Sequence, residues 1–242
     1  MRGISFASLL LLLFVWLPVQ AQKTLVVATG DYPPFEFKDE KGKLTGYDIE
    51  LGQEISRRMG VTIKWIQLDF NELLPALDAG QADMAIAALH STEERRQRYA
   101  MSRNYVNSGL VMVVKKGNKK ITSLSQLKGC RVAVKEWATG EKYARENAAK
   151  LGLEYRSYAT TDQSFAALDR GEVDAVFNDY LSSRLFVKQN QEYNIPIVPF
   201  TPCGMAVAAA KGRKSLIMQI NQILDELERT GFLKQLYQKW LL

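Results

Sequence analysis

The chain has 242 residues, 47% of them hydrophobic and 10% aromatic, with only two cysteines. That length fits one large domain or two of about 100 residues, with enough apolar material for a core that needs no disulfide staples. The net charge of +6 is spread along the chain in short doublets such as Lys115-Lys116 and Lys119-Lys120, so it reads as a solvated basic surface and not as a nucleic-acid stripe.

The N-terminus carries an export signature. Met1-Arg2 is a basic start, Leu9 to Leu17 an apolar core and Val19-Gln20-Ala21 a small-residue cleavage site. Residues 1–21 therefore read as a signal peptide cut after Ala21, too short and too abruptly followed by polar chain to span a bilayer. No cysteine sits at the cut for a lipid, and no later segment is apolar enough to cross a membrane. Export permits disulfides, but Cys130 begins a strand while Cys203 lies near a chain crossing, and both are expected as unpaired thiols.

Elements then alternate as strand and helix. Leu25–Thr29 reads as a strand, Gly30–Phe37 as a Pro-rich loop and Lys41-Gly42 as a turn. Asp48–Met59 reads as a helix stopped by Gly60, and Val61–Gln67 as a strand. Asn71 is expected to cap a helix ending near Ala79, made irregular by Pro75. Met84–Leu89 reads as a strand. Ser91 or Thr92 should start the next helix, with Glu94 closing a Ser-x-x-Glu capping box. Strands follow at Leu110–Lys115, Arg131–Val134, Glu154–Tyr158, Ala175–Phe177 and Met205–Ala210. Helices are expected over Thr139–Lys150, over the segment ending at Asp169, and from Asp179 to about Lys188. Two amphipathic helices, Ser215–Arg229 and Phe232–Leu241, close the chain.

One pattern occurs twice. Ala76-Leu77-Asp78-Ala79-Gly80-Gln81-Ala82-Asp83 is echoed by Ala167-Leu168-Asp169-Arg170-Gly171-Glu172-Val173-Asp174. Each copy reads as a helix end, a glycine stop and an apolar strand. Groups just past the carboxyl ends of such strands face the ligand crevice of an open α/β sheet. The first strand leads to His90 and Arg95, the second to Asn178 and Asp179. Two lobes built alike, one offering an Arg and the other an Asp, suit a small zwitterion held between them. The expected division is a first lobe of residues 23–106 plus 204–242 and a second lobe of 107–203, joined by two short crossings.

Several motifs carry a resemblance. These are Asp31-Tyr32-Pro33-Pro34-Phe35-Glu36-Phe37, Leu44-Thr45-Gly46-Tyr47-Asp48-Ile49-Glu50-Leu51, Ser91-Thr92-Glu93-Glu94-Arg95, Ser123-Leu124-x-x-Leu127-Lys128-Gly129 and Asn178-Asp179. They span nearly the whole chain in order, and it resembles the periplasmic solute-binding proteins of polar-amino-acid ABC transporters. The resemblance implies an α/β, two-lobe periplasmic binding protein fold (type II) that closes as a hinged trap. It also implies a monomer in the periplasm, an amino-acid ligand, an inner-membrane ABC permease as partner, and neither cofactor nor metal.

The site chemistry follows. A guanidinium fork matches the ligand carboxylate with two charge-assisted bonds, which points to Arg95, aided by the helix N-terminus near Thr92. Asp179 would accept from the ammonium. The resemblance places Tyr32 and Tyr47 as the aromatic pair enclosing the ligand stem, and Lys135, Ala88 and Thr139 among the contacts. His90 stands where relatives carry Ser or Thr, and Thr29 where basic-ligand relatives carry Asp. His90, Arg95 and Lys135 together favour a polar neutral or acidic side chain. Two alternatives stay open. A ligand-sensing partner of a receptor would use the same cleft. A cyclohexadienyl dehydratase, whose exported forms Gly30-Asp31-Tyr32-x-Pro34-Phe35 resembles, would need Asp31, Glu36 or His90 as proton-transfer group.

Overall fold

The computed structural model describes residues 23–242; the expected signal peptide lies outside them. In chain order the first part holds β1 (Thr24–Thr29), the hairpin β2 (Phe37–Lys38) and β3 (Leu44–Thr45), α1 (Tyr47–Met59), β4 (Thr62–Gln67), α2 (Leu73–Asp78), β5 (Met84–Ala85), α3 (Glu93–Arg98) and β6 (Tyr99–Met101). The middle holds β7 (Val106–Lys115), β8 (Arg131–Lys135), α4 (Thr139–Leu151), β9 (Glu154–Tyr158), α5 (Thr161–Asp169), β10 (Ala175–Asp179), α6 (Tyr180–Gln189) and β11 (Tyr193–Asn194). The chain ends with β12 (Thr201–Met205), β13 (Ala208–Ala210), α7 (Lys214–Arg229) and α8 (Phe232–Leu241).

Among the described residues the strands form two large sheets and the β2–β3 hairpin. One sheet runs β4-β1-β5-β13-β6, the other β11-β7-β10-β8-β9 with β12 added against β7. The first sheet is packed by α1 and α7, whose Ile55, Ile220, Leu224 and Leu227 are buried with Leu25 and Val27 of β1. The apolar stripe of α7 thus does what its periodicity promises. In the second sheet, α4 and α5 cover opposite faces, Ala144 packing with Val132 and Val134, Phe165 with Ala133 and Val176.

The echoed motif forms the same device in each lobe. Gly80 and Gly171 stop their helices at φ 68° and 71°, a backbone region that costs a glycine least. Three residues on, Asp83 Oδ2 accepts from Val26 N of β1, and Asp174 Oδ2 from Arg131 N of β8, both at 2.8 Å. Each aspartate pins the incoming strand to its parallel neighbour.

Some local expectations need correction. Leu68 N bonds to Thr29 O, and the helix starts at Leu73 after Glu72, so Asn71 is no cap; Pro75 then falls in the first turn, where its missing N–H costs nothing. The strand at Met84 spans only Met84–Ala85, its last bond to β1 running from Ile86 N to Ala28 O, and the chain then kinks with Ala88 at φ 46°. Thr92 is the helix cap, accepting from Arg95 N, and Glu94 reaches Lys142 of α4 instead of closing a box. The strand expected from Leu110 begins at Val106 and runs antiparallel to β12, Val106 beside Met205. Cys130 and Cys203 are unpaired.

Candidate functional site

The carboxyl ends of the central strands converge on one narrow cleft of about 50 Å³ between the lobes. From the first lobe, the loop after β1 brings Tyr32, whose N–H donates to Glu36 O at 2.6 Å in a tight turn. The loop after β4 brings Phe70, and the segment after β5 brings Ala88, His90 and Arg95. From the second lobe come Lys135 at the end of β8, Thr139 at the start of α4, Thr161 at the start of α5, and Asn178 and Asp179 at the end of β10. This is the crevice that open α/β sheets offer beyond their carboxyl ends.

Polar contacts span the gap. The Tyr32 hydroxyl donates to Asn178 Oδ1 at 3.0 Å. His90 reaches two groups of the second lobe, Nε2 lying 3.0 Å from Asp179 Oδ2 and Nδ1 3.1 Å from Thr139 Oγ1. Asp179 also caps α6 through Ser182 N and accepts from Ser108 Oγ. Arg95 donates to the carbonyls of His90 (3.1 Å) and, across the cleft, Trp137 (3.2 Å), with its guanidinium 5.6 Å from the Phe70 ring centre. Burial pushes the pKa of Arg95 and of Lys135 down. An anion in the cleft would relieve that penalty for either.

Beneath the first-lobe wall lie two carboxyls with little access to water. Asp48 Oδ2 accepts from Ala88 N at 2.6 Å and from the Tyr105 hydroxyl at 2.8 Å, while Asp48 Oδ1 and Glu36 Oε2 have no donor among the described residues. The two side chains face each other within hydrogen-bonding reach. A proton held between them satisfies both, and burial raises the Asp48 pKa to about 7 and that of Glu36 well above its usual range. The pair lies against the wall: the backbone carbonyl of Glu36 receives the Tyr32 amide, and the Asp48 carboxyl holds the Ala88 amide.

Arg95, Asp179, Tyr32, His90, Lys135, Ala88 and Thr139 thus share one cleft. Tyr47 does not. It is 1% exposed, stacks on Tyr105 with ring centres 5.9 Å apart and belongs to the first-lobe core. Its place at the first turn of α1 turns the ring inward. Phe70 supplies the second aromatic wall; its position just past a strand was the signal that could have found it. The anion site expected at the helix start near Thr92 is weak, since α3 is only 6 residues long. Of the acids an enzyme would need, Asp31 is exposed and Glu36 buried, and neither lines the cleft.

Comparison with known proteins decides the family. The family described as bacterial extracellular solute-binding proteins, family 3, matches residues 25–242. The chain belongs to that family. Similar to this family 3 protein is the L-cystine-binding protein TcyJ of Escherichia coli (strain K12), 31% identical over 225 residues, covering 92% of this chain and 84% of the relative. Among solved structures, an ancestral arginine-binding protein bound to arginine superposes with a TM-score of 0.85 at 36% identity, covering 91% of this chain and 99% of the other. An ancestral amino acid-binding protein, a precursor of cyclohexadienyl dehydratase, gives a TM-score of 0.83 at 29% identity, covering 90% and 95%. The two-lobe type II fold is therefore this chain's architecture. No helix among the described residues is long and apolar enough to cross a membrane.

Proposed function

We propose that this protein captures a polar amino acid in the periplasm, closes its lobes on it and delivers it to an inner-membrane ABC permease. One observation carries the reading: Arg95 from the first lobe and Asp179 from the second line a single cleft, between aromatic walls from Tyr32 and Phe70. Arg95 receives the α-carboxylate through its planar fork, trading carbonyl partners for a charge. Asp179 retains acceptor capacity on Oδ1, where Ser182 N takes only one lone pair, and receives the ammonium. Residues 23–106 with 204–242 move against 107–203, and the paired β7 and β12 are the hinge. Residues 1–21 direct export and are removed after Ala21.

Relatives named for cystine, lysine/arginine/ornithine and histidine support an amino acid as ligand. A dehydratase is less well served, because the only one of its three acid–base candidates in the cleft is His90, which is engaged by Asp179 and Thr139. Thermal-shift screening against the twenty amino acids, followed by calorimetry, tests the proposal. One polar member should raise the melting temperature by several degrees; turnover of prephenate or arogenate without such a shift would replace binding by catalysis.

A further inference from the structure

Two donors in the cleft have no acceptor. Lys135 holds its ammonium 4.5 Å from the centre of the Phe70 ring and 5.4 Å from that of Tyr32, and among the described residues it forms neither a hydrogen bond nor an ion pair. The Thr161 hydroxyl, on the same second-lobe wall, is buried and without a partner among the described residues. Buried polar groups are normally satisfied, so both point to something the cleft receives.

Fixed charges give the sign. The cleft is lined by Arg95 and Lys135 against Asp179 alone. A neutral zwitterion matches Arg95 and Asp179 and leaves one positive charge over. Four acids lie in the field of Lys135: Glu36, Asp31, Asp162 and Asp69. Asp31, Asp69 and Asp162 are exposed, where water screens them, and Glu36 is buried behind the first-lobe wall, where burial and the neighbouring Asp48 raise its pKa well above the usual range and favour its neutral form. None of the four lines the cleft. A basic ligand side chain between the two rings would set its cation against the Lys135 ammonium with no carboxylate to receive it.

We propose that the ligand is an acidic amino acid whose side-chain carboxylate is received by Lys135 and Thr161, while Arg95 and Asp179 hold its zwitterionic end; this rests on the amino-acid reading above. Glutamate and aspartate are the class, and their amides are the isosteric controls.

Calorimetry on the full chain with L-glutamate, L-aspartate, L-glutamine, L-asparagine and L-arginine tests it. One acid should bind about tenfold or more tighter than its amide, a charge-assisted bond being roughly twice as strong as a neutral one. Lys135→Met should erode that preference, costing the acid about tenfold more than the amide, and Thr161→Val should act in the same direction if the lysine variant folds poorly. An amide equal to its acid, or arginine binding best, overturns the acidic class while leaving amino-acid capture standing. No binding by any of the twenty amino acids overturns both.

Discussion

His90 Nε2 lies 3.0 Å from Asp179 Oδ2, joining the chain's single histidine in one lobe to a cleft-lining carboxylate of the other. A carboxylate only accepts, so Nε2 carries a hydrogen, and Nδ1 meets the Thr139 hydroxyl on the same side of the gap. The ring is long enough to touch both second-lobe groups. The ring thus carries two hydrogen bonds from one lobe to the other.

Removing the ring should loosen closure. His90→Ala deletes two interlobe hydrogen bonds, each contributing roughly 0.5–1.5 kcal/mol net, so affinity should fall about tenfold, mainly through faster dissociation. His90→Ser keeps a hydroxyl but cannot span the gap, and should recover little. Stopped-flow release measured with both variants checks this; unchanged dissociation would mean that the ring plays no part in closure.

Arg95→Ala removes the proposed partner of the ligand carboxylate from a desolvated cleft. Uncovering one member of such a pair costs roughly 3–5 kcal/mol, and binding should weaken about 100-fold or more in calorimetry. A loss under about tenfold would place the carboxylate elsewhere.

Phe70 and Tyr47 should separate cleanly. Phe70 lines the cleft and is half-buried, whereas Tyr47 is enclosed by the first-lobe core. Phe70→Ala should weaken binding about tenfold or more with a small change in melting temperature. Tyr47→Ala should cost about 3–5 kcal/mol of stability by leaving a cavity. Denaturant titration alongside calorimetry distinguishes them, and the opposite pattern would restore Tyr47 to the site.

Sequence patterns reached far into this site because its residues sit at strand ends that the alternation of elements already marks. Arg95 and Asp179 follow the two echoed strands, and Lys135 ends another, so topology alone sends them to one crevice. Tyr47 misled because a motif match fixes neighbourhood along the chain but not the direction a ring takes from a helix start. Phe70 lay in a loop without periodicity, and only its place just past a strand end could have flagged it. The kink at Ala88 could not be read either, for alanine carries no mark of φ 46°; its cause is Asp48, distant in sequence, holding the Ala88 amide.

That same Asp48 gives the molecule an unusual response to pH. Burial holds its pKa up at about 7 and that of Glu36 well above normal, the carboxyls keeping a proton between them. In the unfolded chain both titrate near about 4. Folded-state pKa values above the unfolded ones mean that the stabilisation is complete below about pH 4 and is lost as pH rises toward about 7, where Asp48 lets go. Each retained proton gives a slope of about 1.4 kcal/mol per pH unit across that window. Glu54 acts in the opposite sense: Arg57 and Arg58 hold it down at about 2, so its contribution is present above about pH 4 and fades only below. The groups facing the pair are Tyr105 and Tyr47 from its own lobe, Asp31 from the loop before it and Lys135 from the other lobe. Glu36→Gln replaces the shared proton by a permanent N–H donor to Asp48, so melting temperature between pH 4 and 8 should fall less steeply in the variant than in the parent. Matching profiles would show that no proton is held there.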